Sequence, residues 1–346
     1  MLISLALIVL IVTAGCIYQL AGTARDRRRF PMPGRLVDIG GPRLHLRESG
    51  AAGPRVILEA GIAASCLNWT SIQADLSRSM RVWSYDRAGL GWSDPAGSPR
   101  TISQALEELH ALLTSALIPA PFVLVGHSFG GLLARCYAVQ YPDQVAGLVL
   151  LDPLAASEWL RPSETQSKTL RRGAMLSRRG AFLARFGVVR LGLFMLSSGL
   201  RFIPTLVARL ASSGSGESAI SRLVREVQKM PPETWPIVQA HWCQPKSFLG
   251  MASYLESLPA SASQACAMGE LPAHLPVTIL SASNSTAAQL AEREAMTRHS
   301  LHGRHIIAAQ SGHWIHFDEP ELVLEAIREM ADPQGKESKK SGDMTG

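Results

Sequence analysis

The chain has 346 residues, 47% of them apolar and 18% charged, with a formal net charge of +6. That length holds one large α/β domain plus an insertion, and the composition excludes a disordered chain. Five cysteines (Cys16, Cys66, Cys136, Cys243 and Cys266) are widely spaced without a C-x-x-C, which argues against a zinc site or a disulfide framework and for buried reduced thiols.

Residues 2–22 are almost entirely apolar and uncharged, long enough to cross a bilayer as one helix. Arg25, Asp26, Arg27, Arg28 and Arg29 follow at once. A secretion signal would carry its positive charge ahead of the apolar run, so the pattern reads as an anchor, with a cleaved signal as the alternative. The positive-inside rule then places the arginines, and the body behind them, on the cytoplasmic side.

After a short linker, residues 35–39 and 43–48 flank Gly40-Gly41-Pro42 as an antiparallel hairpin. Residues 55–60 read as a buried strand ending in the small-residue loop 61–65, with a helix expected over 67–78. Residues 81–85 form the next strand. Thr101 is placed to cap an amphipathic helix over 102–117. Strands at 122–125 and 146–151 enclose a helix over 132–140. The rhythm breaks between 154 and 271, where helical stretches are punctuated by Gly, Pro and Ser. It resumes with a strand at 276–281, a helix at 287–299, a strand at 304–310 and a last helix at 319–330. Buried strands alternating with helices predict a parallel sheet covered on both faces.

The chain is organised around Gly126-His127-Ser128-Phe129-Gly130, which lies between the strand at 122–125 and the following helix. G-x-S-x-G in that context is a nucleophile elbow. The turn strains the serine backbone, and a Cβ at either flanking glycine would strike a neighbouring element. Ser128 then stands above a helix N-terminus, with the Phe129 N–H aimed at a developing oxyanion.

Four stretches carry a family resemblance: L-E-A-G-I-A from Leu58, Y-D-R-A-G-L-G-W-S-D from Tyr85, G-H-S-F-G-G from Gly126 and S-G-H-W-I-H-F-D-E-P from Ser311. In this order they resemble an α/β-hydrolase, over residues 35–332 apart from the insertion. The D-R-A-G-x-G-W-S-D form is similar to a bacterial subgroup of serine hydrolases related to proline iminopeptidases and small esterases. The resemblance implies a mostly parallel eight-stranded sheet with helices on both faces. The implied organisation is an anchor over 1–24, a basic linker over 25–34, a core over 35–153 and 272–332, a helical cap over 154–271 and a disordered tail over 333–346. Where the family usually has His-Gly after its third strand, this chain has Ala60-Gly61, and the second oxyanion donor would be the Ile62 N–H. Asp86 and Arg87 would brace that loop, and Trp92 would line the pocket or pack beneath it.

Ten histidines compete for the role of base. The resemblance assigns it to His313, after the last strand, with His316 as the local rival and His127 expected to point away from Ser128. The loop 281–286, where the family usually carries its acid, has no carboxylate. Asp152, directly after the sixth strand, is the preferred acid because some family branches carry it there. Glu292 and Glu294 are the alternatives. The expected function is a membrane-anchored serine hydrolase that cleaves a carboxylic ester of a small molecule, with no cofactor, no metal and no nucleic-acid partner. Iminopeptidase or carbon–carbon bond hydrolysis on the same site, and a non-catalytic binding homologue, are the alternatives. Serine at the elbow, in place of Asp, argues against epoxide hydrolase or dehalogenase chemistry.

Residues 161–229 carry thirteen Lys/Arg against three Glu, interleaved with bulky apolar residues from Phe182 to Leu210. That pattern fits an interfacial element lying on membrane lipid, or a cap packed on the core with its arginines in water.

Overall fold

The structure, a computed structural model, describes residues 2–197 and 228–332. The tail over 333–346 and the apolar residues Leu200, Phe202, Ile203, Leu206, Val207 and Leu210 lie outside the described residues.

Eight strands form one sheet: β1 (Arg35–Val37), β2 (Leu44–Ser49), β3 (Arg55–Glu59), β4 (Arg81–Tyr85), β5 (Phe122–His127), β6 (Val145–Leu151), β7 (Val277–Ala282) and β8 (Gly303–Ala308). Their spatial order is β1-β2-β4-β3-β5-β6-β7-β8. β2 pairs antiparallel with β1 and β4, and every pair from β4 across to β8 is parallel. All six residues of β5 are buried, as expected of a central parallel strand covered on both faces. Its side chains alternate between two core layers. Leu124 meets the layer under α3 (Ile102–Ser115) and α4 (Phe129–Gln140), while Val123 and Val125 meet the layer under α2 (Thr70–Leu76).

Local chemistry sets the element ends. The Ser65 hydroxyl caps a 3-10 turn over Cys66–Trp69, which leads into α2, so the helix expected over 67–78 is split in two. Thr101 accepts from the Gln104 N–H at 3.3 Å and starts α3. The strand expected over 122–125 runs on to His127, and α4 begins at Phe129, leaving Ser128 alone at the corner.

Between β6 and β7 the described residues form only helices: α5 (Ala156–Leu160), α6 (Glu164–Arg185), α7 (Val188–Ser197), α8 (Trp235–Trp242) and α9 (Pro245–Ala267), with a 3-10 turn before α8. The far half of α9 belongs to the core, because Tyr254, Leu258, Ala262 and Ala265 share a buried cluster with Phe129 and Leu132. The chain then forms α10 (Ala287–His299), the short α11 (Ile315–Asp318) and α12 (Pro320–Ala331). Val323, Leu324 and Ile327 of α12 pack in the same layer as α2.

One helix among the described residues is long and apolar enough to cross a membrane: α1 (Leu2–Arg29), with mean hydropathy 2.3. Its first half is bare of protein contacts, with Leu2, Ile3, Leu5 and Leu7 through Val12 exposed. Its second half docks on the body through Gln19, Thr23 and Asp26.

Candidate active site

Ser128 sits at the carboxyl end of β5 with φ 55° and ψ −118°, a region that L-residues avoid. Its N–H donates to the Leu151 carbonyl at 2.9 Å, and its own carbonyl accepts from the Gly131 and Leu154 N–H groups at 2.9 and 3.0 Å. The corner is therefore fixed to β6 as well as to α4. It also needs its glycines. A Cβ on Gly130 would lie 2.5 Å from the carbonyl oxygens of Glu59 and Ala60, and one on Gly126 would strike the Gly130 carbonyl.

His313 lies in the loop after β8, with its side chain 46% exposed. Its Nδ1 meets Asp152 Oδ2 at 2.6 Å. Asp152 follows β6 in a left-handed conformation, φ 41°. Its Oδ1 accepts from Arg293 Nη1 at 2.7 Å and from the Ala282 N–H and the Ser285 hydroxyl, each at 3.1 Å. Burial by itself would raise the Asp152 carboxyl. The His313 hydrogen bond and the Arg293 charge outweigh it and hold the group well below the usual carboxylate range. Nothing in the sequence singles out Arg293. It occupies an ordinary position in α10, and only the fold brings it under β6, where it also donates to the Pro153 carbonyl at 2.8 Å.

The alternative acids are committed elsewhere. Glu292 accepts from the Ala156 N–H at 3.2 Å and from the Ser157 hydroxyl, at the start of α5. Glu294 faces His305 at 3.4 Å.

The rival histidines stand behind His313. His127 is buried, and its Nε2 lies 2.8 Å from the His313 carbonyl oxygen. Burial, reinforced by the neighbouring His313 and His316, keeps the His127 ring well below its ordinary titration range. A neutral His127 donates from Nε2, so it orients the His313 loop through its backbone. His127 is also among the residues that line the cavity beside Ser128. His316 lies deeper, 4.7 Å from His127 and 4.9 Å from Trp69 by ring centroids, and burial pushes it down to about 3.

A cavity of about 430 Å³ opens above these groups. Ile62, Ser128 and His313 line its floor, and Ser177, Val238, Trp242, Phe248 and Met251 line the wall facing them. No carboxylate is among its described lining residues. The Ser128 hydroxyl makes no hydrogen bond to His313 among the described residues, an arrangement common before substrate closes such a site. Neither the Ile62 nor the Phe129 N–H donates to another acceptor among the described residues.

The loop carrying Ile62 is braced from β4. Arg87, buried, pairs with Glu59 and donates to the Ala60 carbonyl at 2.7 Å and to the Gly61 carbonyl. Asp86 accepts from the Cys66 N–H at 2.8 Å, the Trp92 N–H at 2.9 Å and His45 Nδ1 at 2.8 Å. Trp92 packs on His45 and His241 instead of lining the cavity. His45, Cys66 and Asp86 bring three potential metal ligands within 4.8 Å, but the Asp86 oxygens are already taken by these donors and all three side chains are sealed. All five cysteines are free, with Cys16 half-buried and Cys266 exposed, so burial of every thiol does not hold.

Known proteins match this chain in sequence and in fold. Over 122 residues it is 38% identical to the lipase LipV of Mycobacterium tuberculosis, covering 35% of this chain and 46% of that protein. Over 128 residues it is 34% identical to a 2-hydroxy-6-oxo-2,4-heptadienoate hydrolase of Pseudomonas putida, covering 36% and 46%. The aligned stretches thus span under half the length of these curated relatives. A solved thermophilic esterase from Thermogutta terrifontis superposes with a TM-score of 0.54 at 22% identity, covering 83% of this chain and 92% of the esterase, which speaks for the fold alone. Residues 54–320 match the family described as alpha/beta hydrolase fold. With six of the eight strands (β3 to β8), the serine corner and the histidine loop inside that stretch, the chain belongs to the α/β-hydrolase family.

Proposed function

We propose that this protein is a membrane-anchored serine hydrolase that cleaves a carboxylic ester through Ser128, His313 and Asp152. The observation that carries the reading is the 2.6 Å hydrogen bond from His313 to Asp152, made where the His313 ring shares a cavity with a strained Ser128. An unassisted serine hydroxyl is almost wholly protonated at neutral pH, so it needs a base beside it. His313 takes the proton as Ser128 Oγ attacks the ester carbonyl. Asp152 keeps the His313 proton on Nδ1, which leaves Nε2 free to accept, and stabilises the imidazolium that forms. The Ile62 and Phe129 N–H groups hold the oxyanion, and Arg87 fixes the loop that supplies the first of them. His313 then protonates the leaving alcohol, and a water deprotonated by the same ring releases the acid and restores Ser128.

The cavity lining favours a neutral, apolar acyl group. Met251, Phe248, Val238 and Trp242 offer apolar surface, and no carboxylate is present among the described lining residues to hold a substrate amine, which disfavours the iminopeptidase reading. Helix α1, with the arginine cluster in its last turn, supports anchoring with the body on the cytoplasmic side. A fluorophosphonate probe tests the chemistry. Ser128 in the folded protein should label, and Ser128→Ala should not. Folded protein that fails to label would leave a non-catalytic binding role. Hydrolysis of a vinylogous diketone, with simple esters untouched, would move the reading to carbon–carbon cleavage.

A further inference from the structure

We propose that the elbow joining α6 to α7 is a second membrane contact, immersed in the same leaflet that α1 enters. The inference rests on reading α1 as an anchor. The elbow lies directly against α1. A Cβ on Gly15 would sit 2.5 Å from the Phe186 carbonyl oxygen. On the elbow side, Gly187, with φ 71°, would bring a Cβ to 2.7 Å from the Tyr18 ring and 3.0 Å from the Gly15 carbonyl oxygen. Glycine on both partners lets the two backbones touch, as in packed membrane helices.

That contact sets the depth. The apolar run of α1 ends near Gly22, so Gly15 lies seven residues, roughly 10 Å, further in. The whole run over 2–22 measures roughly 32 Å, which just matches the ~30 Å hydrocarbon core. Holding the elbow in water would leave only residues 2–14 for lipid, roughly 20 Å, too short to span. A spanning α1 therefore carries the elbow into the leaflet.

The elbow has the surface for it. Phe182 is 58% exposed, Val188 48% and Leu191 50%, and the Phe182 and Phe186 rings meet edge to face at 4.9 Å. A cluster of this kind in water would be costly. It continues the bare apolar surface of α1, while Arg179 and Arg185 are exposed on α6 as partners for anionic headgroups. The polar groups at this level of α1 are satisfied by the helical segment. Gln19 donates to the Cys243 carbonyl at 2.8 Å and accepts from Arg190 at 3.1 Å, and Arg190 pairs with Asp26 at 2.6 Å. An unpaired amide in hydrocarbon would cost several kcal/mol, on the order of a lost hydrogen bond in an apolar medium.

The consequence concerns substrate. Ser177, on the cavity wall, precedes Phe186 by nine residues along α6, roughly 14 Å. Between α6 and α9 there is also an apolar depression of about 610 Å³, lined by Met175, Phe182 and Leu183 with Arg171, Arg179 and the Arg178–Glu256 pair alongside. An elbow in the leaflet brings the cavity within an acyl chain's length of lipid, so the substrate class is a lipophilic ester taken from the membrane.

Tryptophan scanning of the full-length protein tests this in vesicles of phosphatidylcholine and phosphatidylglycerol with brominated acyl chains. Emission added over wild type is read for Phe182→Trp and Leu191→Trp, with Ile8→Trp on α1 and the exposed Leu301→Trp as references. Brominated chains should quench positions 182 and 191 several-fold more than position 301, approaching position 8. Quenching at 8 with 182 and 191 behaving like 301 would overturn the inference and leave the anchor standing. Protection at 182 and 191 from both brominated chains and aqueous acrylamide would mean a second copy of the chain covers the elbow, and would also overturn it. An unquenched Ile8→Trp would remove the anchor itself, and the inference with it.

Discussion

Two buried aspartates each receive a histidine Nδ1 at the carboxyl edge of the sheet, and only one of the two pairs opens on a cavity. Asp86 follows β4 and meets His45 at 2.8 Å, while Asp152 follows β6 and meets His313 at 2.6 Å. Neither side chain of the first pair is exposed at all. The second ring nitrogen of His45 is taken by the Pro33 carbonyl at 3.2 Å, and Cys66 closes over Nδ1 at 3.7 Å. The His313 side chain is 46% exposed and lines the cavity together with Ser128. Hydrogen-bond geometry is thus nearly the same in a pair that ties a loop down and in the pair proposed for chemistry. What separates them is access: a proton can be passed only where the second nitrogen faces a reactant.

Exchanging charge for amide at each aspartate breaks the comparison most sharply. Asp152→Asn should lower kcat by about three to four orders of magnitude, the size of loss when a triad acid no longer holds the histidine tautomer. Labelling and hydrolysis rates on protein verified as folded measure it. Asp86→Asn should do the reverse, costing about 3–5 kcal/mol of stability as a broken buried pair while the folded fraction still labels. A denaturant titration alongside the probe separates the two, and a large loss of kcat with unchanged stability in Asp86→Asn would erase the distinction.

Arg87 links the sealed side to the open one, since it pairs with Glu59 and holds the carbonyls before Ile62. Arg87→Met should cost about 3 kcal/mol or more, because it leaves the Glu59 carboxylate buried and unpaired. It should also slow acylation, read as a fall in kcat/KM beyond what the folded fraction explains.

Acid titration sharpens the same contrast. Burial lowers His241, on the cavity wall, from 6.5 to about 4. The unfolded chain binds that proton first, so stability should be complete above pH 6.5 and fall as pH drops toward 4. Burial would raise Asp86, but His45 and the Cys66 and Trp92 N–H groups bring it down from 3.8 to about 2. Its contribution is therefore present above pH 3.8 and lost as pH falls toward 2. His241→Phe should shrink the upper window of a melting-temperature profile without removing it, because burial also lowers His127 and His316, and should leave the lower window unchanged. Smallest of all, Glu292→Gln should change stability by about 1 kcal/mol or less and leave kcat at the wild-type value, because its carboxylate serves the start of α5 on the surface.

What could be read from the residues alone was local and repetitive. Buried strands such as 145–151 announce themselves by unbroken apolar runs, and the start of the helix after Thr101 by a capping hydroxyl ahead of an amphipathic stretch. The Ser128 corner shows itself because G-x-S-x-G between strand and helix answers a steric need within five residues. The family resemblance follows from such signals taken in order, and the eight-stranded sheet from the resemblance. For the partner of His313, the preference for Asp152 over Glu292 and Glu294 rests on the family resemblance, because those acids lie from 19 to 161 residues away in sequence and periodicity carries no information about which one the sheet brings near. Only the parallel order β5-β6-β7-β8 sets Asp152 under the histidine loop and feeds Arg293 in from α10. The same holds for the sealed state of His45–Asp86 and for the contact of Gly15 with Phe186. Each depends on groups that meet across distant segments, and burial, access and depth are properties of the packed chain, absent from any stretch of it.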